Sequence, residues 1–228
     1  DIDGNVLTDS TATVTVAISG GTIALSGTTT ATAINGVATF VGLGKYGTVA
    51  TTKTLTYSSG LLTTATQTFT LTYGAATKVA KTTPAAGFAN NAAFTTQPVI
   101  TVQDADGNTV SNSTATVTIT SSGATLSGTS STSMDAVAGV ADFVGKGIKL
   151  TGATGSYTLT YASTGLASDT QSITLTAGAA HHLTLITNAA GARSGQVFDT
   201  QPVVEVQDIS NNPVPSSGLL VGINGTGL

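Results

Sequence analysis

The strongest constraint on the fold is that the chain repeats itself. The stretch Phe94-Thr-Thr-Gln-Pro-Val-Ile-Thr-Val-Gln-Asp-Ala-Asp-Gly-Asn108 returns in part as Phe198-Asp-Thr-Gln-Pro-Val-Val-Glu-Val-Gln-Asp208, and Asp1-Ile-Asp-Gly-Asn5 restates its end. Phe94 and Phe198 lie 104 positions apart, and Ser113, Val140 and Gln171 find counterparts in Ser10, Val37 and Gln67 at nearly that spacing. Small length changes fall between these landmarks, in loops, where insertions cost little. The alignment predicts three pieces: residues 1–74 are a repeat lacking its first two strands, 75–178 a complete repeat, and 179–228 the opening strands of a third.

Within each piece the hydrophobic period is two. Residues 10–18 place Ala12, Val14, Val16 and Ile18 on one face and Thr11, Thr13 and Thr15 on the other, the pattern of a half-buried strand. Weaker strands are expected at 22–25 and 30–34. Asn35-Gly36 then marks a type I′ hairpin turn, since both central residues must take positive φ. The chain should return over 37–41 and continue with strands at 54–57 and 66–73. The second piece repeats this order at 113–120, 140–145, 156–161 and 171–178, preceded by strands at 78–82 and 97–103. The third offers 182–186 and 201–207. No helix of useful length is predicted. About seven alternating strands in roughly 100 residues, with turns every 8–12, describe an immunoglobulin-type sandwich. The expected fold is therefore all-β, with tandem immunoglobulin-like β-sandwich domains of about 104 residues per repeat. Such a long repeat makes a string of domains rather than a solenoid. The junctions Gly74-Ala-Ala and Gly178-Ala-Ala are too short to be floppy, so a rod of end-to-end domains is expected.

Composition limits function more than fold. Only 8% of residues are charged, against about 25% in a typical soluble protein, and Thr supplies roughly a fifth of the chain. Thr suits strands and presents a hydroxyl to water, so a sheet can be wetted without charge. A net charge of −4 with scattered Lys and Arg argues against nucleic acid. Cysteine is absent, which removes disulfides and thiolate metal sites. Mean hydropathy is +0.29, yet no run reaches the 18 apolar residues of a membrane helix, so any export signal or anchor is expected outside these residues.

The candidate sites are few. Asp104, Asp106 and Asn108, with Asp1, Asp3 and Asn5, gather oxygen ligands and make calcium a candidate. Against it, the glycine stands fourth rather than sixth, and the third copy, Asp208-Ile-Ser-Asn-Asn212, loses the second Asp and the Gly. A plain strand-linking turn needs only such residues. His181-His182 should point to opposite faces of a strand. Tyr57 or Tyr161 could bond backbone as a tyrosine corner does, or simply pack in the core. Glu205, the only glutamate, should face outward between Val204 and Val206. A Lys–Asn cross-link would start from Lys78 or Lys81 but lacks a recurring acid. No catalytic motif is present, no enzyme is expected, and no cofactor beyond the calcium candidate.

The series Phe-x-Thr-Gln-Pro-Val-x-x-Val-Gln-Asp, Asp-Gly-Asn, Ser-Thr-Ala-Thr-Val-Thr, Gly-Val-Ala-x-Phe and Tyr-x-Leu-Thr-Tyr resembles bacterial Ig-like repeats of the invasin/intimin-related kind. The resemblance implies a non-enzymatic structural or adhesive segment of an extracellular or cell-surface fibre, stalk or filament. It supplies no catalytic residues. Two alternatives stay open: accessory Ig-like repeats of a large secreted enzyme, and a carbohydrate-binding module, though Trp is absent. The expected partners are neighbouring repeats, and identical subunits by strand complementation or lateral packing. Residues 179–207 carry the two strands that 1–74 lack, so one copy could complete the next. A window cut from a longer repeat protein is the favoured expectation, because residues 208–228 duplicate the start of the chain.

Overall fold

A computed structural model describes residues 3–19, 24–49, 52–129, 131–215 and 220–222. Every regular element among them is a strand, and the molecule is an all-β protein built on sandwich sheets. The chain resolves into two compact units. One comprises residues 1–77 with 102–113, the other 78–101 with 114–228.

In the first unit, β1 (Thr13–Ser19), β2 (Ala24–Ser26), β3 (Thr30–Thr32), β4 (Gly44–Tyr46), β5 (Thr52–Ser58) and β6 (Ala65–Thr70) form a sheet of order β3-β1-β5-β6 and a small β2-β4 pair. The predicted alternation holds: Val16 is buried, Val14 and Ile18 are half-buried, and the intervening Thr residues face water. Asn35 and Gly36 have φ of 52° and 78°, and Ile34 and Val37 bridge across them as a two-residue hairpin. The return over 37–41 stops there. Among the described residues nothing pairs with 38–41, and Val41 stands 76% exposed. A strand persists only where a neighbour takes its N–H and C=O groups, and this segment has none.

In the second unit the aligned segment has such a neighbour. Its strands are β7 (Lys78–Thr83), β8 (Val99–Gln103, whose last two residues belong to the first unit), β9 (Thr116–Ser121), β10 (Thr125–Ser127), β11 (Ser133–Asp135), β12 (Val140–Asp142), β13 (Lys149–Thr151), β14 (Gly155–Ala162) and β15 (Asp169–Leu175). They make a sheet β11-β9-β14-β15, a sheet β12-β8-β7 and the pair β10-β13. Val140, Ala141 and Asp142 pair with Thr101, Ile100 and Val99. The pairings of β1–β6 recur in β9–β11, β13, β14 and β15, while β7 and β8 have no counterpart among the described residues of 3–74. With both layers present the core closes: Ile100, Val117, Ile119, Phe143, Ile148, Leu150, Leu159 and Tyr161 are essentially inaccessible.

Two further strands, β16 (His182–Thr187) and β17 (Val203–Gln207), form an antiparallel pair. One of its faces is apolar and open. Glu205, expected outward, is half-buried and accepts from Gln207 Nε2 at 2.6 Å, whereas Val203 and Val204 are the exposed residues. The side-chain network of Thr184, Glu205 and Gln207 covers one face, while on the other Leu183 and Val206 share a cavity with Leu220, Val221 and Gly222. His181 precedes β16, so its Nδ1 comes within 3.2 Å of His182 Nδ1 instead of pointing away.

Candidate functional site

The two turns that align with the opening motif are the most organised polar structures in the molecule. In the first, β8 ends at Gln103, and Asp104 N–H donates to the Asn108 carbonyl at 3.0 Å. Gly107, at φ 85°, closes the loop in a conformation glycine adopts at no steric cost. Asp104 Oδ1 then accepts from the N–H groups of Asp106 (3.0 Å) and Asn108 (2.9 Å), and Oδ2 from Gly74 N–H (2.8 Å). Asn108 Nδ2 donates to Asp104 Oδ2 (2.9 Å) and to the Gly47 carbonyl (3.1 Å), while its Oδ1 accepts from Val49 N–H (3.0 Å). Asp106 Oδ2 accepts from Gly47 N–H at 3.2 Å. Two buried side chains thus tie the turn to the 74 linker and to the 47–49 loop. All of these residues lie within the compact unit of 1–77 with 102–113.

The second turn rebuilds the same lock. Asp208 Oδ1 accepts from Ser210 (2.8 Å) and Asn212 (3.0 Å) N–H groups, and Oδ2 from Gly178 N–H (2.9 Å). Asn212 Nδ2 donates to the Gly152 carbonyl (2.9 Å) and its Oδ1 accepts from Thr154 N–H (2.8 Å). Asn211, at φ 64°, stands where Gly107 stood. Ser210 replaces Asp106, and the N–H of Gly152 is served instead by Asn90 Oδ1 at 2.9 Å. Asn90 also gives Asp208 Oδ2 a further donor at 2.8 Å. Nothing in the sequence pattern singled out Asn90; its counterpart one repeat later is Ser194, so repeat comparison gives it no weight.

The electrostatics follow from the donors. Burial alone would raise the carboxyl of Asp104, but the hydrogen bonds from Gly74, Asn108 and Asp106 outweigh it and hold the group below the ordinary carboxylate range. Asp208 is held lower still: burial again opposes, and donors from Gly178, Asn212 and Asn90 prevail. The oxygens of the calcium candidates Asp104 and Asn108 therefore meet N–H groups, and Asp106 meets Gly47 N–H. Asp3 and Asn5 are exposed around Gly4 (φ 82°), each with its own interactions; Asp1 lies outside the described residues. Among the described residues no three His, Asp or Glu side chains gather as a metal site would need.

Elsewhere, Tyr161 Oη donates to Gln171 Oε1 at 2.9 Å and also meets the backbone of Ala85, while Tyr57 Oη donates to Gln67 Oε1 at 3.4 Å. Lys81 on β7 pairs with Asp169 on β15 at 2.8 Å. The acid was missed because it does not recur, Ala65 holding its place in the first repeat. Asn224-Gly-Thr226, which reads as a glycosylation sequon, lies outside the described residues.

No family model matches the chain, and no curated protein matches it in sequence. Among solved structures it is similar to a β-glycosidase from Bacteroides vulgatus, at 14% identity over 72% of this chain and 21% of that one, with a TM-score of 0.38. It is similar to a glycoside hydrolase family 2 β-glucuronidase at 14% identity over 92% and 22%, TM-score 0.39. Domains 4–9 of the surface layer protein SbsC align at 19% identity over 92% and 30%, TM-score 0.34. The chain spans between about a fifth and a third of these structures, and no residue role is carried over from them. Among the described residues no helix is long and apolar enough to cross a membrane.

Proposed function

We propose that this chain is a non-enzymatic structural or adhesive repeat segment of an extracellular bacterial fibre, stalk or filament, of the invasin/intimin-related Ig-like kind. The observation that supports the reading is the repetition of the lock. Asp104/Asn108 and Asp208/Asn212 each bind a linker glycine and a loop of the preceding segment through buried hydrogen bonds. A device that recurs at the repeat period and recruits the inter-repeat glycine serves spacing. Immunogold labelling of intact source cells with antibody against this chain tests the reading. Label on the outer surface or on shed fibres is expected, and label confined to the cell interior would overturn it.

A further inference from the structure

We infer that the complete repeat is a force-bearing clamp, in which its opening segment, residues 78–90, and its last strand, β15, resist tension by being loaded in shear. The inference rests on the reading of the chain as part of an extracellular fibre, which is what puts a repeat under tension. Two bridges join these segments, Lys78 to Ala167 and Ala89 to Thr176, and both are parallel. The chain therefore enters the repeat at one end of the pair and leaves it, past Leu175, at the other. Pulling the chain taut slides one segment along the other, so the bonds between them share the load. Two segments pulled apart from a common end instead lose their bonds one at a time.

The bonds run the length of the overlap. At its two ends they are backbone bonds: Val79 N–H donates to the Ala167 carbonyl, Asn90 N–H to the Thr176 carbonyl and Thr176 N–H to the Phe88 carbonyl, each at 2.9 Å. Between them Pro84 offers no N–H to a ladder, and side chains of β15 take its place. Asp169 accepts Lys81 N–H on Oδ2 and Lys81 Nζ on Oδ1, both at 2.8 Å, and Nζ also donates to the Thr170 carbonyl at 2.8 Å. Gln171 clasps Ala85 through both backbone groups, accepting from its N–H at 3.1 Å and donating to its carbonyl at 2.7 Å. Behind these bonds Val79, Ala85, Ile173 and Leu175 are buried, so sliding also draws apolar side chains out of the core. On its other side β7 is bonded to β8, which keeps the opening segment from swinging away. The clamp thus joins side-chain and backbone bonds in one direction of load.

Force on the purified chain is read without regard to where the protein resides, so the clamp and the surface-segment reading fail separately. The chain lacks cysteine, and pulling handles attach only where cysteine is introduced. Thr77→Cys with Ala179→Cys, both at exposed positions flanking the repeat, loads the pair in shear. Thr77→Cys with Thr164→Cys pulls it apart from one end, because Thr164 lies just before the Lys78–Ala167 bridge. In single-molecule force measurements on the whole chain, the first handle pair should rupture at about twofold higher force or more, since several hydrogen bonds must break together. Lys81→Met keeps the apolar stem and removes both Nζ bonds. It should lower the shear force while leaving the circular dichroism of the folded chain unchanged. Equal rupture forces for the two handle pairs, or a shear force that Lys81→Met does not lower, would overturn the clamp.

Discussion

Replacing Asp208 by Asn preserves its size and turns one of two acceptor oxygens into a donor. Oδ2 receives the Gly178 N–H, the Asn90 amide and the Asn212 amide; Oδ1 receives the Ser210 and Asn212 N–H groups. Whichever side the new NH2 takes, at least two buried donors lose their acceptor and face a donor. At about 1–3 kcal/mol for each such group, Asp208→Asn should cost about 2–5 kcal/mol. Asp104→Asn also strands two donors, Gly74 N–H and the Asn108 amide on one side or the Asp106 and Asn108 N–H groups on the other, and should cost a similar amount, about 2–5 kcal/mol. Urea unfolding followed by circular dichroism reads both. Acid adds a second arm. Both carboxyls are depressed in the folded state, so their contribution is complete above the ordinary value near 3.9 and fades as pH falls below it. Asp208→Asn should flatten that acid limb. Losses under about 0.5 kcal/mol for both variants would refute the assignment of the lock to these acceptors.

Burial, aided by the charge of Asp169, pushes the Tyr161 hydroxyl up to about 12, so the unfolded chain ionises first as pH rises past 10. Stability should hold to pH 10 and then fall by about 3 kcal/mol through pH 12, a limb that Tyr161→Phe removes in alkaline titration. A cation at Asp104 would have to expel the donors of Gly74, Asp106 and Asn108, so added calcium or chelator is expected to leave the thermal midpoint unchanged in calorimetry. Gly36→Ala should lower the midpoint of the first unit, because its Cβ would strike the Leu7 carbonyl at a φ of 78°.

Much of the sandwich was legible because it rests on local signals. Alternating Val and Thr set β1 and β9, the Asn35-Gly36 pair set its hairpin, and the repeat set the order of strands. The expected boundaries ran long, with β1 starting at Thr13 rather than Ser10 and β8 at Val99 rather than Gln97. The three-residue strands β4, β10, β11 and β13 were invisible, since they are defined by a partner and are too short to show a period. The segment 37–41 failed for the same reason in reverse: its pattern matches β12, but β12 exists by pairing with β8.

The lock was legible in its letters and not in its meaning. Asp and Asn four positions apart stand in all three copies, as 1 and 5, 104 and 108, 208 and 212, while the residues between them change. Loss of the middle Asp and the Gly weighed toward an ordinary turn. The structure shows why those positions are free to vary. Asn211 takes the left-handed conformation that Gly107 held, and the N–H once capped by Asp106 is capped by Asn90, 120 residues before Ser210. The outer Asp and Asn have no such substitutes, because each joins the turn to a different segment. What varies is what the turn can satisfy locally or from elsewhere; what stays is what crosses between segments. A cation loop would constrain the oxygens inside the turn. In this chain the two residues that reach out of the turn, Asp104 with Asn108 and Asp208 with Asn212, are the ones that recur.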